Sequence, residues 1–322
     1  MKKAFITGIN GQDGSYLAEH LLSMNFEVGG LVRRSSVAEN QTYRINHLND
    51  SIATYYGDVM DKTSIFKALD DFKPDFIFNL AAQSHVRLSF DMPSFTAQVN
   101  AIGALNVFDS VKERFSDVKV YQASSSEMFG SAVDEDNFQR ETTPMHPVSP
   151  YGCSKLFAYS VARNYRQSYD LFISNGILFN HESPRRGTNF VTAKVVKGAL
   201  DIKYGKETKL EMGNLDSYRD WGHSYDYTKA MIKLLLLDNP EDIVISTGKS
   251  YSVRQLCKFV FEKCNLNYED HVVINKKFFR PKELPYLKGD CSKARKLLSW
   301  ENSFTFETLL EDMINHFEKQ YR

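Results

Sequence analysis

An α/β fold on a doubly wound parallel sheet, with a smaller and less regular C-terminal part, is what the sequence predicts. Three observations carry this. Short apolar runs alternate with amphipathic segments through the first half, a glycine-rich turn follows the first run directly, and the rhythm breaks near Phe179. With 322 residues, 42% of them hydrophobic, the chain has enough apolar material for one large or two closely joined α/β domains.

The apolar runs are AFIT (4–7), FEVGGLV (26–32), IATYYG (52–57), FIFNL (76–80) and VKVYQA (118–123), each reading as a buried strand. A helix opens at about Gln12, with Leu17, Leu21 and Met24 at i, i+4 and i+7, and Glu19 and Ser23 on the other side. Strands alternating with helices imply right-handed crossovers and therefore a parallel sheet. Beyond Phe179 the stretches NHESPRRGTNF, MGNLDSYRDWGH and KKFFRPKELP are rich in Arg, Pro, Gly and Asn, and predict a second region packed against the first around a cleft.

Composition narrows the functions open to such a fold. The 40 basic and 40 acidic side chains cancel, so no overall field draws the chain to nucleic acid or to an anionic membrane, and any anion site is local. Cys153, Cys257, Cys264 and Cys291 show neither C-x-x-C pairing nor a His at ligand spacing, so free thiols and no metal are expected. The apolar run in MKKAFITGI is too short for a signal segment, and no stretch reaches the roughly 20 apolar residues of a membrane span. A soluble, cytoplasmic protein is the expectation.

TGINGQDG (7–14) places Gly8, Gly11 and Gly14 between the first strand and the first helix. Glycines there let the backbone turn tightly and approach a pyrophosphate, and the helix N-terminus then faces that anion. The turn's Gly8, Asn10, Gly11, Gln12, Asp13 and Gly14 are thus candidate dinucleotide contacts. The second strand ends in Arg33 and Arg34, where a protein specific for NAD offers a carboxylate to the ribose. Guanidinium groups suit a 2′-phosphate, so the expected cofactor is NADP. Asp58, followed by Val59, either bonds an adenine amine or caps the helix that starts near Asp61.

YGCSK supplies the candidate catalytic pair. Pro150 marks a helix start, so Tyr151 and Lys155 lie one turn apart on one face. An ammonium beside a phenol stabilises the phenolate, and the expectation is a Tyr151 pKa lowered from about 10 toward neutrality. Ser124, Ser125 and Ser126 stand on the preceding strand end, and Glu127 follows them in QASSSEMFG.

In their order along the chain, TGINGQDG, RRSS, NLAAQSHV, QASSSEMFG, SPYGCSK, GILFNHESPRRG, SYRDWGH and FRPKE resemble the extended short-chain dehydrogenase/reductase family, from Lys2 to about Trp300. The nearest likeness is to its GDP-mannose 4,6-dehydratase branch. That resemblance implies a Rossmann domain over 1–178 and a mainly nucleotide-sugar-binding domain over 179–322, with the chain re-crossing to the first. It also implies a GDP-hexose 4,6-dehydratase with recycled NADP. Tyr151 would take the proton of the sugar 4-hydroxyl, Ser125 would bond the same oxygen, and Lys155 would hold the cofactor ribose. Glu127 would remove the C5 proton of the 4-ketone and, as the only carboxylate in its run, assist departure of the C6 hydroxyl. Leu80, Ala82, Ser84, His181 and Arg186 match positions around the cofactor. Ser84, Asn180, Lys194, Arg219 and Arg280 match positions around the substrate, and Glu283 a position that reads the base.

The same resemblance implies a homodimer or homotetramer, formed through the helix beginning near Tyr151 and the one around 95–111. Ser125 replaces the family's usual Thr and keeps the hydroxyl. Ala81 and Gln83 replace a Gly and a Met, and Ala193 an Arg. If Gln83 faces the hexose, these changes alter the sugar pocket, which leaves GDP-mannose, GDP-N-acetylglucosamine and a GDP-heptose open. A 4-epimerase or reductase would share Ser125, Tyr151 and Lys155 but needs no carboxylate at Glu127. A silent NADP-binding regulator would lack Tyr151 or Lys155.

Overall fold

The computed structural model describes residues 1–34 and 42–321. Its frame is a seven-stranded sheet. Strands β1 (Lys3–Thr7), β2 (Glu27–Val32), β3 (Ile52–Tyr56), β4 (Phe76–Asn79), β5 (Lys119–Ser125) and β6 (Ile173–Leu178) are joined by a seventh, Asp242–Ile245. They lie in the order β3-β2-β1-β4-β5-β6 with the seventh strand beyond β6, and every pairing is parallel. The order reverses between β1 and β4, which opens a crevice at the carboxyl ends of these strands.

Side chains alternate across the sheet with a period of two. Ala4 and Ile6 pack with Leu17 and Leu21 of α1 (Gln12–Ser23), whereas Phe5 faces the opposite layer of α2 (Lys62–Phe72) with Ile65 and Phe72. That second layer continues through α3 (Val86–Asp91), α4 (Pro93–Ala97), α5 (Gly103–Arg114) and α6 (Pro150–Tyr169), where Phe108, Val111, Ala158 and Ala162 are fully buried.

After β6 the chain serves two cores. Of α7 (Val191–Lys203), α8 (Ser224–Leu235), α9 (Val253–Lys263), α10 (Tyr268–His271), α11 (Ser292–Leu298) and α12 (Phe306–Glu318), α8 and α11 pack on the sheet beside the seventh strand. Helices α7, α9 and α12 enclose a separate core with Val196, Leu200, Leu256, Phe261, Leu310 and Met313.

Two details differ from the sequence-based expectation. Met24 does not extend the apolar stripe of α1. It caps the helix and is 46% exposed, because Asn25 takes φ +62 and turns the chain into β2. Asp61, not Asp58, caps α2, accepting from the Thr63 N–H, while the Asp58 carboxylate accepts from the Met60 N–H.

One polar cluster bolts the first turn of α1 to the C-terminal half. Asp13 accepts from His181 Nε2 at 2.8 Å and from the Ser224 hydroxyl, and His181 stacks on Tyr227 at 4.8 Å. Burial alone would push the Asp13 carboxyl up, but the charge and hydrogen bond of His181, with Ser224 and Arg186, hold it at about 2. The same pairing raises His181, against the burial that would lower it.

Linkage then sets a pH window. Asp13 contributes above its ordinary 3.8 and loses its contribution as pH falls through about 2, while His181 contributes below 6.5 and loses it as pH rises through its raised value. Asp13→Asn is therefore expected to lower the Tm by about 2–5 °C between roughly pH 4 and 6.5, with a smaller difference at higher pH. Calorimetry from pH 4 to 9 checks this, and a pH-independent difference contradicts it. Gly14→Ala would place a Cβ 2.4 Å from the Gly8 carbonyl oxygen and 2.7 Å from Ile9 Cα, both backbone atoms. A loss of about 2 kcal/mol or more in denaturant unfolding is expected.

Candidate active site

The carboxyl ends of β1, β4 and β5 are locked to one another by buried side chains. The Thr7 hydroxyl donates to Asn79 Oδ1 at 2.7 Å and accepts from the Leu80 and Ala81 N–H groups, and Asn79 Nδ2 donates to Gln122 Oε1 at 2.7 Å. With no slack at these strand ends, the loops that leave them start from fixed positions. They bound a cleft of about 680 Å³, well within the roughly 300–1,000 Å³ of small-molecule sites.

The glycine turn forms one wall. Gly8 has φ +72 and its Cα lies against the backbone of Ala81, so a side chain there would be both strained and obstructed. Gly11 caps α1 without a side-chain bond, leaving the first-turn N–H groups of Gln12, Asp13 and Gly14 beside the cleft. These features fit a dinucleotide pyrophosphate. All six turn residues, Gly8, Asn10, Gly11, Gln12, Asp13 and Gly14, line the cleft.

Arg33, Asp58, Val59, Leu80, Ala82 and Ser84 also line it. Arg34 does not: its guanidinium lies 5.5 Å from the Tyr56 ring on the exposed edge beside β3. Consecutive residues at a strand end point to opposite faces, so only one of the two arginines turns inward. Ser35 and Ser36 of that motif lie outside the described residues. Gln83 is not a free sugar contact. It lines the cleft, but its Oε1 accepts from the His85 N–H at 2.6 Å and its Nε2 donates to the His85 carbonyl and to Thr96 Oγ1 on α4, so its amide is already engaged within the protein.

At the centre, Ser125, Glu127, Tyr151 and Lys155 converge. Ser125 ends β5, and its hydroxyl accepts from the Glu127 N–H at 3.2 Å to start a short 3₁₀ turn over Ser126–Met128. Ser149 caps α6 and Pro150 occupies its first position, which puts Tyr151 and Lys155 on the face toward the cleft. Lys155 Nζ donates to the Ala123 carbonyl at 2.9 Å and lies 5.9 Å from the Tyr151 ring centroid.

The expectation of a depressed Tyr151 pKa is corrected here. Burial pushes the phenol up to about 12, against the Ser125 hydroxyl that lowers it, and the nearby Glu127 charge adds to the rise. Lys155 is itself brought down to about 8 by burial, and its ammonium bonds a backbone carbonyl rather than the phenol oxygen. In the protein alone Tyr151 is a neutral phenol at pH 7.

The far end of the cleft carries the cations. Asn180 and His181 begin a short strand (Asn180–Glu182) paired with Trp221–His223. Arg186 is fixed by Glu182 at 2.9 Å and by the Phe190 ring 3.6 Å away, and still faces the cleft. Arg219 is buried and donates to the carbonyls of Tyr218 and Leu284, both at 2.8 Å. Burial lowers it to about 10, offset in part by Glu127. Its neighbour Asp220 is no partner of it: that carboxylate accepts from Thr247, Gly248 and Gly289, and burial pushes it up to about 6. Lys194 donates to the Glu211 carbonyl at 2.6 Å and lies over Phe278, 3.6 Å from the ring centroid. Arg280 Nη1 reaches Glu127 Oε1 at 3.3 Å, and the Arg280 N–H donates to Glu283 Oε1.

Sequence reasoning missed Lys277, Phe278 and Asn214, all at the cleft wall. The first two stand directly before FRPKE, so adjacency to that motif was the available signal. Trp221 and His223 pack instead, stacked on Phe306 and Phe304. Among the described residues no group of three or more His, Cys, Asp or Glu is arranged to hold a metal ion.

Comparison with known proteins follows the same lines. A family model described as GDP-mannose 4,6 dehydratase matches residues 5–313. GDP-mannose 4,6 dehydratase 1 of Arabidopsis thaliana is 47% identical, over 98% of this chain and 89% of its own. The human GDP-mannose 4,6 dehydratase is 44% identical over 97% and 90%, and the Vibrio cholerae enzyme 41% over 97% and 93%. Among solved structures, a UDP-glucose 4-epimerase of Thermotoga maritima superposes with a TM-score of 0.87 at 24% identity, covering 99% of this chain and 100% of that one. A dTDP-glucose 4,6-dehydratase of Bacillus anthracis gives 0.85 at 20%, covering 99% and 97%. These two show the shared fold. Sequence motifs, cleft geometry and full-length similarity together establish that the chain belongs to the GDP-mannose 4,6-dehydratase family.

Proposed function

We propose that this chain is a GDP-sugar 4,6-dehydratase that converts a GDP-hexose to the GDP-4-keto-6-deoxy sugar. The observation that carries the reading is Glu127, a nearly buried carboxylate beside the Ser125 and Tyr151 hydroxyls at the end of β5. Oxidation or epimerisation at C4 needs only the hydroxyl pair and the lysine, whereas loss of water across C5 and C6 needs a proton taken from carbon.

A bound nicotinamide dinucleotide would supply the reversible oxidation that makes a C4 ketone and the reduction that completes C6, with no net redox change. Gly8, Gly11 and Gly14 would hold its pyrophosphate, and Lys155 its ribose. Arg33 favours the 2′-phosphate form, NADP, because a guanidinium pairs with phosphate oxygens in two-pronged fashion. With a cationic nicotinamide beside it, the Tyr151 phenol would lose its proton to solvent more readily than in the protein alone, and as the phenolate it would accept the 4-hydroxyl proton while Ser125 holds the same oxygen. Once C4 is a ketone the C5 proton is acidic, and Glu127 removes it. Ser126 brings no second carboxylate to the run, so the protonated Glu127 is also the acid that helps the C6 hydroxyl leave.

At the other end Asn180, Lys194, Arg219 and Arg280 would meet a diphosphate and Glu283 a base. The Gln83 amide is engaged within the protein, so the substitution there does not argue against mannose, and GDP-mannose is the first sugar to offer. Ile102 at the start of α5 and Phe157 on α6 are 37% and 41% exposed. These outward apolar groups support association into a dimer or tetramer through that face.

Offered a panel of GDP-, UDP- and dTDP-hexoses, the protein is expected to remove one water from a GDP-hexose, read by mass spectrometry. Removal only from UDP or dTDP sugars, or a change in configuration without mass loss, rejects the proposal. Glu127→Gln should retain folding and cofactor binding while cutting water loss by about 10²–10⁴-fold. Tyr151→Phe should block the first oxidation as well, leaving no transient absorbance of reduced nicotinamide. Since Lys155 loses its proton near pH 8, kcat/KM should fall above about pH 8 along a one-proton limb. A profile flat to pH 9.5 would show that the Lys155 charge is not required.

A further inference from the structure

In the cation end of the cleft, positive charge is already matched. Arg280 Nη1 sits 3.3 Å from Glu127 Oε1, with side chains 26% and 10% exposed. Arg219 feels the charges of Glu127, Arg280 and Glu283 together. Two guanidinium groups therefore share the space with two carboxylates, and one of those carboxylates is the group assigned to take the C5 proton. From this arrangement we infer that Glu127 and the substrate's diphosphate compete for Arg280, so that nucleotide binding releases the base. The inference rests on the proposed reading both for the role of Glu127 and for the diphosphate at Arg280, and on the structure for the Arg280–Glu127 contact.

The geometry favours exchange. The Arg280 backbone is anchored, since its N–H donates to Glu283 Oε1 at 3.0 Å and Pro281 follows it. Only the side chain has to swing. Its contact with Glu127 is a single long hydrogen bond, whereas a diphosphate presents several oxygens and accepts the guanidinium fork at two points. Among the described residues no other side chain donates a hydrogen bond to the Glu127 carboxylate; its own N–H is held by Ser125, and Lys155 bonds Ala123. With the diphosphate bound, the carboxylate has lost its contact with Arg280 and is free to turn to the hexose. A sugar lacking the diphosphate leaves Arg280 on Glu127. The pair thus makes water loss contingent on a nucleoside diphosphate, in addition to whatever binding energy the nucleotide provides.

The test uses GDP as the probe and isothermal calorimetry on the full chain saturated with NADP, comparing the parent, Glu127→Gln, Arg280→Gln and the double variant. Removing the competing carboxylate should tighten GDP binding by about three- to tenfold in the parent background. In the Arg280→Gln background the same change should have no effect. Glu127→Ala, measured alongside with a thermal melt of each variant, replaces Glu127→Gln if the amide distorts the turn. Unchanged or weaker GDP binding on removing Glu127 overturns the inference. An equal gain in both backgrounds overturns it too, because the effect is then the general field of a carboxylate and not competition for Arg280. The dehydratase reading fails separately, in the mass assay: tighter GDP binding with no loss of water from any GDP-hexose keeps the competition and removes the reaction.

Discussion

The arrangement of the cleft depends on where the Asp13 carboxylate points. A negative side chain in the first turn of a helix sits where an incoming anion would be received, and left free it would repel one. Here it is held by His181 and Ser224, both supplied by the C-terminal half. The backbone N–H groups at the start of α1 stay beside the cleft while the charge is compensated by these partners. The same contact fixes the position of the segment carrying Asn180 and Arg186. One half-buried ion pair therefore orients both the glycine turn and the opposite wall.

Burial sets the protonation states inside the cleft more than pairing does. Tyr151 is raised, Lys155 and Arg219 are lowered, and in each case desolvation is the largest influence. Of these, Lys155 alone is brought close to neutral pH, at about 8, while Tyr151 is carried further from it, to about 12. At the far end of the cleft the cations are likewise compensated within the protein, Arg280 by Glu127 and Arg186 by Glu182.

Much of the fold and of the site was legible in the sequence, for physical reasons that can be named. Strands buried on both faces read as near-continuous apolar runs, and β1, β2 and β4 show them plainly. The glycine turn was legible because only glycine tolerates the contacts at Gly8 and Gly14, and the Tyr151–Lys155 pair because helix spacing is regular once Pro150 fixes the start. The end of α1 was not, since a positive φ at Asn25 leaves no trace in hydrophobic periodicity. Nor were the directions of Arg34, Gln83 and Arg280, which are decided by partners far along the chain or by competing local bonds. The Tyr151 pKa was misjudged for a related reason: spacing shows that a lysine is near, but not that its ammonium bonds a carbonyl instead.

The outer edge of β6 is covered by the strand Asp242–Ile245, which is synthesised only after α7 and α8. Until then that edge exposes unpaired backbone groups in a strand whose side chains are all apolar or small, a template for pairing with another chain. The nascent protein consequently cannot close its first layer and then begin the second. The sheet edge stays open through the making of much of the other layer, and completing the sheet requires pairing between segments distant in sequence.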